Sequence, residues 1–160
     1  IGGTSNSGGQ RQEGSMTAPN SIAVKRCITD AVKDAQITAE EVDVINGHLT
    51  ATSKDDLEFK NWSEALDRSG QEFPYINSLK GMTGHCLAAS GSIECVASVL
   101  QLKYQFLFPN INLQQINPEI LKVVSENRIP RGRMNLEFNI LAKASFGFGD
   151  VNCCLIFKKI

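Results

Sequence analysis

The chain has 160 residues, of which 42% are hydrophobic and 21% charged, and its formal net charge is −1. This composition excludes a disordered chain, a collagen and a coiled coil, and the balanced charge argues against a nucleic-acid partner. No apolar run approaches the ~20 residues that cross a bilayer, so we expect no membrane partner.

Residues 1–16 are rich in glycine. They hold five of the thirteen glycines of the chain, and the first residue is Ile1 rather than methionine. Because glycine loses much conformational freedom on folding, such a segment is a poor start for an independent fold. We assign no helix or strand to it and expect the chain to be a piece of a longer protein.

Between residues 19 and 102 the apolar residues follow two different patterns. Steps of three and four residues predict helices, and short branched runs predict buried strands. A capping-box pattern at residues 38–41 predicts one more helical turn, and the small residues at 78–84 predict a loop. The larger elements expected here are a helix at 19–35, a strand at 42–46, a helix at Asp55–Leu66, a strand at 73–77 and a long helix at 85–102.

The last part of the chain closes on two strands. Two apolar runs, at 139–146 and Val151–Lys158, are separated by a Gly-Phe-Gly turn. Before them, residues 119–124 predict a turn of helix and residues 125–136 an exposed loop. The order predicts one α/β domain over residues 1–160, with helices packed on a mixed sheet in βαβαββ-type order. The chemistry of such sheets gathers at the carboxyl ends of the strands.

The five cysteines are odd in number and contain no CxxC pair. Most lie in apolar stretches, as buried free thiols do. Because such thiols stay reduced inside the cell, we expect a cytoplasmic protein. The closest Cys/His pair is His85–Cys86, and adjacent residues rarely point the same way. We therefore expect no metal site.

Two histidines carry the chemical interest of the sequence. His48 follows the strand predicted at 42–46, and His85 follows the loop at 78–84. Two neutral imidazoles can hold a carbonyl oxygen and stabilise the enolate that forms when a β-keto acid loses carbon dioxide. Lys80 would keep one histidine neutral by lowering its pKa. The N-terminus of the helix that His85 is expected to open would lower the pKa of His85 in the same way. The spacing alone leaves open that both histidines only satisfy loop hydrogen bonds.

Three segments resemble the motifs of the β-ketoacyl-acyl carrier protein synthases. Residues 45–56, INGHLTATSKDD, resemble their motif His-Gly-Thr-Ser-Thr followed by Gly-Asp. Residues 76–91, INSLKGMTGHCLAASG, are similar to their Lys-Ser-x-x-Gly-His motif, and residues 144–152, ASFGFGDVN, to their Ser-Phe-Gly-Phe-Gly-Gly-Thr-Asn turn. Residues 16–19, MTAP, match a further piece in the right order. The resemblance runs through nearly the whole chain but covers only the C-terminal half of the family.

The resemblance implies a fold and three catalytic roles. Each half of such an enzyme has thiolase-like βαβαβαββ topology in a layered α/β sandwich, and the nucleophilic cysteine lies in the other half. By the resemblance, His48 and His85 hold the malonyl thioester oxygen during decarboxylation, and Lys80 orients and tunes His85. None of the five cysteines here takes the place of the nucleophile, so we expect this chain alone to be inactive.

The resemblance also implies substrate contacts. Thr50 and Thr52 match the threonines that hydrogen-bond the phosphopantetheine arm. Phe148 matches the aromatic gate between the acyl pocket and the malonyl site, and Gly147 and Gly149 match the glycines that let its loop move.

The function implied is a decarboxylative Claisen condensation of malonyl-acyl carrier protein with an enzyme-bound acyl thioester, in fatty-acid or polyketide-type synthesis. The implied partners are acyl carrier protein and the N-terminal half of the same chain, with a homodimer at full length. No cofactor is expected beyond the phosphopantetheine of the carrier. Two alternatives stay open: a non-elongating chain-length factor, which often lacks the histidines, and a stand-alone half-domain that acts as a binding module.

The chain departs from the family pattern at several positions, among them Leu49, Ala144 and Asp150. Leu49 adds bulk where the pantetheine arm is expected to pass, and Asp150 puts a carboxylate beside the gate. Asp56 fits the aspartate of an acidic pair, but the matching glutamate position holds Phe59, and Glu58 is one place early. The resemblance therefore leaves a cation site there open.

Overall fold

Branched apolar runs form the centre of a five-stranded sheet in the computed structural model, which describes residues 1–8 and 16–160. The strands are β1 (Gly2–Ser7), β2 (Val44–Asn46), β3 (Tyr75–Asn77), β4 (Phe106–Leu107), β5 (Met134–Asn135), β6 (Ile140–Gly147) and β7 (Val151–Lys158). The sheet order is β1-β7-β6-β2-β3, and β4 pairs with β5 apart from it. Strand β2 runs parallel to β3 and β6, whereas β7 is antiparallel to β6 and β1 to β7. The predicted mixed sheet is confirmed.

The helices begin and end at recognisable local signals. They are α1 (Ser21–Asp34), α2 (Asp55–Leu66), α3 (Lys80–Thr83), α4 (Ser90–Tyr104) and α5 (Pro118–Leu121), with 3₁₀ turns at Ala39–Glu41, Leu87–Ala89 and Glu126–Arg128. Helix α1 starts where the side-chain oxygen of Asn20 accepts the N–H groups of Ile22 and Ala23, at 2.9 and 3.3 Å. The capping box predicted at Thr38 and Glu41 is present. Helix α2 has the predicted bounds.

The central strands alternate between two apolar cores. Ile45 and Ala142 belong to the larger cluster, which includes the buried faces of α1 and α2 and the fully buried Trp62. Val44 and Leu141 belong to a smaller cluster with Leu102 of α4. Side chains of neighbouring strand residues point to opposite faces, so α1 and α2 cover one face of the sheet and α4 lies on the other.

The prediction that the glycine-rich segment contains no strand is wrong. Residues 2–7 form an edge strand paired with β7, and glycine is needed there for close approach. A Cβ atom on Gly2 would lie 2.5 Å from the backbone nitrogen of Ala35. With β1 included, the order of the main elements is βαβαβαββ rather than βαβαββ. Residues 9–15 of the same segment lie outside the described residues.

The region between β3 and β4 also differs from the prediction. The expected loop at 78–84 contains α3, and the long helix expected from residue 85 begins at Ser90 and ends at Tyr104. The break comes at Gly84, whose φ of +72° lies in the left-handed region that favours glycine. His85 is therefore held in a connection between two helices and does not open one. The expected loop at 125–136 likewise contains a 3₁₀ turn and β5.

Two asparagines tie the carboxyl ends of β2 and β3 together. The Asn46 amide donates to the side-chain oxygen of Asn77 at 3.3 Å, and the Asn77 amide donates to Gln101 at 2.6 Å and to the Phe108 carbonyl at 3.0 Å. The loops that follow both strands thus start from fixed points. No helix in the described part of the chain combines the length and apolar character needed to span a bilayer.

Candidate active site

The loop after β2 is fixed by a buried carboxylate. Both oxygens of Glu58, in the first turn of α2, accept backbone N–H groups: that of His48 at 2.7 Å and that of Leu49 at 2.9 Å. Burial raises the pKa of Glu58 to about 7, against the lowering effect of these two hydrogen bonds. Glu58 therefore fixes the backbone position of His48.

His85 is oriented by its own chain. Its Nδ1 accepts the backbone N–H of Leu87 at 3.0 Å and lies 3.1 Å from the Ser90 hydroxyl oxygen. Because a backbone N–H can only donate, Nδ1 carries no proton, and the remaining ring proton lies on Nε2. His85 therefore presents an N–H donor on the side of the ring away from Leu87.

His48 and His85, here called the histidine pair, come together as predicted. Their ring centroids are 5.5 Å apart at an interplanar angle of 83°, and the ring of Phe146 lies 6.3 Å from that of His48. Burial and then the ammonium of Lys80 lower the pKa of His48 from the usual 6.5 to about 3. His48 is consequently neutral at pH 7.

Lys80 belongs to a buried group of charges, here called the lysine cluster: Lys80, Glu94 and Lys143. Lys80 of α3 hydrogen-bonds one oxygen of Glu94 of α4, and Lys143 of β6 lies 2.8 Å from the other. Their side chains are 6%, 2% and 2% exposed. Among the described residues no hydrogen bond joins Lys80 to His85, and Lys80 acts on His48 through its charge.

The loop that carries Thr50 and Thr52 is held by a second carboxylate. Asp55 accepts the backbone N–H groups of Thr50, Ala51 and Thr52 at 3.1 to 3.3 Å. The two threonine hydroxyl oxygens lie 3.2 Å apart, and that of Thr52 also accepts the Lys54 N–H at 3.3 Å. Both threonines line a cleft of about 970 Å³.

The turn between β6 and β7 separates this cleft from a second cavity of about 330 Å³. The histidine pair and residues 146–148 line both. Phe146 is buried, whereas the Phe148 ring is 69% exposed between the two spaces. Gly147 ends β6, and Gly149 has a φ of +77°. Phe148 is therefore positioned between two neighbouring cavities with a glycine on each side.

The thiols of Cys27 and Cys154 are poorly suited to act as nucleophiles. Burial raises the pKa of Cys27 to about 12 and that of Cys154 well above its usual value. Cys154 is completely buried in the last strand. A thiol held protonated is a poor nucleophile, which argues against a thiolase-type use of Cys154.

The sequence of this chain matches the model of a known protein family. The family model described as "Beta-ketoacyl synthase, C-terminal domain" matches residues 1–114. The chain belongs to the β-ketoacyl synthase family.

Curated members of the family match most of the chain. It is 35% identical over 145 residues to the chloroplastic 3-oxoacyl-[acyl-carrier-protein] synthase I of Arabidopsis thaliana, across 89% of this chain and 30% of that protein. It is 37% identical over 131 residues to 3-oxoacyl-[acyl-carrier-protein] synthase 2 of Vibrio harveyi, across 81% of this chain and 31% of that protein. The chain spans about a third of the length of these relatives.

Solved structures confirm the thiolase-like ketosynthase fold. The ketosynthase from module 1 of the bacillaene synthase of Bacillus amyloliquefaciens FZB42 matches 99% of this chain, with a TM-score of 0.89 and 25% identity, over 29% of its own chain. A ketosynthase bound to a hexaketide in complex with its type II PKS acyl-carrier protein matches 99% of this chain, with a TM-score of 0.85 and 30% identity, over 38% of its own chain. The family resemblance read from the motifs is thereby confirmed.

The departures from the β-ketoacyl synthase motifs have visible consequences. Leu49 packs against the larger core cluster while also lining the cleft. Asp150, which takes the second glycine position of the motif, is completely buried with a φ of +60°. Its carboxylate accepts the Asn20 N–H at 2.9 Å, and the neighbouring Gly149 N–H donates to the Met16 carbonyl at 2.9 Å. The end of the Phe148 turn is thus tied to the segment that enters α1.

Three residues of the site were not predicted from the sequence: Asp55, Glu94 and Lys143. Glu58 was considered there only as a member of an acidic pair. Glu94 had a readable signal, because Ser90, Glu94, Ser98 and Gln101 follow one another at helical steps and all are buried. Such a polar stripe on a buried helix face needs partners. Lys143 is the one charged residue in β6, and a charge within a mainly apolar run was the signal for it.

Proposed function

We propose that the protein carrying this chain is a condensing β-ketoacyl-acyl carrier protein synthase of fatty-acid or polyketide-type synthesis, with the histidine pair as its decarboxylation centre. The observation that carries the proposal is the pair itself: two imidazoles 5.5 Å apart, at the junction of two cavities. One has its Nδ1 occupied as an acceptor, and the other is neutral at pH 7.

The chemistry follows from these protonation states. The thioester oxygen of a malonyl group accepts hydrogen bonds from the ring N–H groups of His48 and His85. As the bond to the carboxylate carbon breaks, carbon dioxide leaves and the electron pair passes to that oxygen as an enolate, which the two donors stabilise. The enolate carbon then attacks an acyl thioester on a cysteine outside this chain, and the thiolate of that cysteine leaves. Neutral imidazoles fit this role because their N–H groups donate hydrogen bonds but are too weakly acidic to protonate the enolate.

The two cavities fit two substrates. The large cleft, with Thr50 and Thr52 on its wall, fits a phosphopantetheine arm that ends at the histidine pair. The smaller cavity beyond Phe148 fits the acyl chain, and Phe148 closes one space from the other. Acyl carrier protein is the proposed partner, and its phosphopantetheine is the only prosthetic group that the reaction needs. The solved ketosynthase in complex with its acyl-carrier protein supports this partner.

An exposed apolar surface on and around α4 indicates a further partner. Helix α4, the 3₁₀ turn before it, the Phe148 turn and the start of β7 expose large apolar side chains: Leu87, Val96, Val99, Leu100, Tyr104, Phe148 and Val151. Isolated domains rarely expose so many together, so we propose that a matching N-terminal half covers them. A homodimer of the full-length enzyme and a cytoplasmic location belong to the same proposal.

The test uses the longest natural form of the protein with His48→Asn and His85→Asn, measured separately for malonyl decarboxylation and for acyl transfer onto the nucleophile. Each variant is expected to lose about 10²- to 10³-fold in decarboxylation and to keep acyl transfer. Ser92→Ala, an exposed position near the start of α4, is the matched control. Unchanged decarboxylation in both histidine variants would overturn the proposal. A protein with no condensation of its own that sets product length in a partner would instead be a chain-length factor.

A further inference from the structure

The lysine cluster contains more positive than negative charge. One carboxylate, Glu94, faces two ammonium groups, each on a different oxygen. Buried charges are costly unless each is paired, and one carboxylate between two lysines leaves an excess of one positive charge. Lys80 alone would already have paired Glu94, so the second lysine needs its own explanation.

Lys143 lies in the middle of a buried strand. Its neighbours in β6, Ala142 and Ala144, are completely buried, and an apolar side chain would be the ordinary choice there. The Lys143 ammonium donates to the Ala144 carbonyl at 2.8 Å and to the Ser145 hydroxyl. In the sheet, Lys143 is the register partner of Asn46, two residues before His48. The strand thus places this cation beside the loop that carries the histidine.

We propose that Lys143 is a positioning residue for the histidine pair: by pairing with one oxygen of Glu94 it leaves a net positive charge on the lysine cluster, whose Lys80 lines the same cleft as both imidazoles. This inference rests on the proposed function, because it gives Lys143 a part in the positive charge near the centre at which the enolate forms. Without Lys143, Lys80 and Glu94 would form a neutral pair, and their effect on the imidazoles would largely cancel.

His48 is the group on which this charge acts. The ionisable side chains whose charge acts on it are Lys80 of α3, His85 of the following connection and Lys143 of β6. Glu58 of α2 accepts its backbone N–H, and Glu94 of α4 pairs with both lysines. Lys80, His85 and Lys143 each lower the pKa of His48, after burial. Removing Lys143 therefore acts twice, by deleting one cation and by leaving Lys80 neutralised by Glu94.

The experiment is a charge series in the longest natural form of the protein. Lys143→Met removes the excess charge, Glu94→Gln doubles it, and the double variant restores it to one. The imidazole signal of His48, assigned with His48→Asn, is followed by NMR through an acid titration. Lys143→Met is expected to raise the midpoint of His48 by about one pH unit, Glu94→Gln to leave His48 neutral throughout, and the double variant to return it to the wild-type value.

Controls separate charge from folding. Lys158→Met makes the same substitution at an exposed position of the same hairpin, and Lys143→Arg keeps the charge; neither should move the midpoint. Urea unfolding shows that each variant is folded. If Glu94→Gln does not fold, the double variant still tests the role of Lys143. If Lys143 were only structural, the destabilising effects of the two substitutions would add, and the midpoint of His48 would not return to its wild-type value.

The readout does not depend on catalysis. A midpoint that stays unchanged in Lys143→Met, or that stays raised in the double variant, overturns the role of Lys143 even if the protein condenses malonyl groups normally. A raised and then restored midpoint in a protein that never decarboxylates supports the role of Lys143 and overturns the proposed function instead.

Discussion

Helices α1 and α4 have nearly the same length, 14 and 15 residues, and opposite construction. Helix α1 buries an apolar face: Val24, Cys27, Ile28, Ala31 and Val32. Most of the residues that α4 buries are polar or small: Ser90, Glu94, Ala97, Ser98, Gln101 and Leu102. Its exposed residues include Val96, Val99, Leu100 and Tyr104.

The difference shows what each helix contributes. The buried face of α1 stabilises the larger core by removing apolar surface from water. The buried face of α4 positions polar groups instead: Glu94 holds both lysines, and Gln101 accepts hydrogen bonds from Asn77 and from the Phe108 N–H at 2.6 and 3.0 Å. Helix α1 is thus a structural element of an ordinary domain, whereas α4 supports the site from one side and offers an apolar surface on the other.

The largest effect is expected in the core of α1. Ile28→Ala removes a completely buried side chain and should lower the free energy of unfolding by about 3 to 4 kcal/mol, because the cavity cannot fully collapse. Leu100→Ala in α4, where the side chain is 39% exposed in this chain, should cost about 1 kcal/mol or less. Urea unfolding of both variants measures the difference. Equal losses would show that the two helices are built alike.

The amphipathic helices and the mixed character of the sheet could be predicted from the sequence because their signal is local. Helix α2 has the predicted bounds, and α1 differs only at its ends, since apolar periodicity and caps lie within the elements themselves. The histidine pair was also predictable, because both residues follow parallel strands whose carboxyl ends meet at one edge.

What the sequence did not reveal depends on contacts made over long distances. Strand β1 forms because it pairs with β7, about 150 residues later along the chain. No local pattern of apolar residues predicts this pairing. The start of α4 depends on the backbone turn at Gly84. Lys143 meets Glu94 only because β6 passes beside α4. Tertiary contacts of this kind override local propensity.

Helix α2 combines the two constructions. It buries Phe59, Trp62 and Leu66 but also Glu58, whose pKa is raised from 4.5 to about 7. Between these pH values the folded protein binds more protons than the unfolded chain, so stability should fall as pH rises from 4.5 to 7, by at most about 3 kcal/mol. The fall comes from the carboxylate form, which burial disfavours.

Urea unfolding at several pH values measures this change. Glu58→Gln should flatten the profile, while Glu72→Gln, at an exposed position, should leave it unchanged. A wild-type stability that rises through the same interval would mean that the hydrogen bonds from His48 and Leu49 outweigh burial. The pKa of Glu58 would then lie below its usual value.

The smallest effect tests the apolar face of α4 against a matched position in α1. Ile22 and Val96 are 65% and 61% exposed, and replacing either by lysine in the 160-residue chain should change the free energy of unfolding by less than about 0.5 kcal/mol. The two sites differ in their surroundings, because Val96 shares its helix with three other exposed apolar side chains, Val99, Leu100 and Tyr104. In the longest natural form of the protein, Ile22→Lys should stay neutral, whereas Val96→Lys should destabilise the fold by placing a charge in a covered interface. If both substitutions are neutral at both lengths, the face of α4 is not covered by the rest of the chain, and its apolar side chains need another partner.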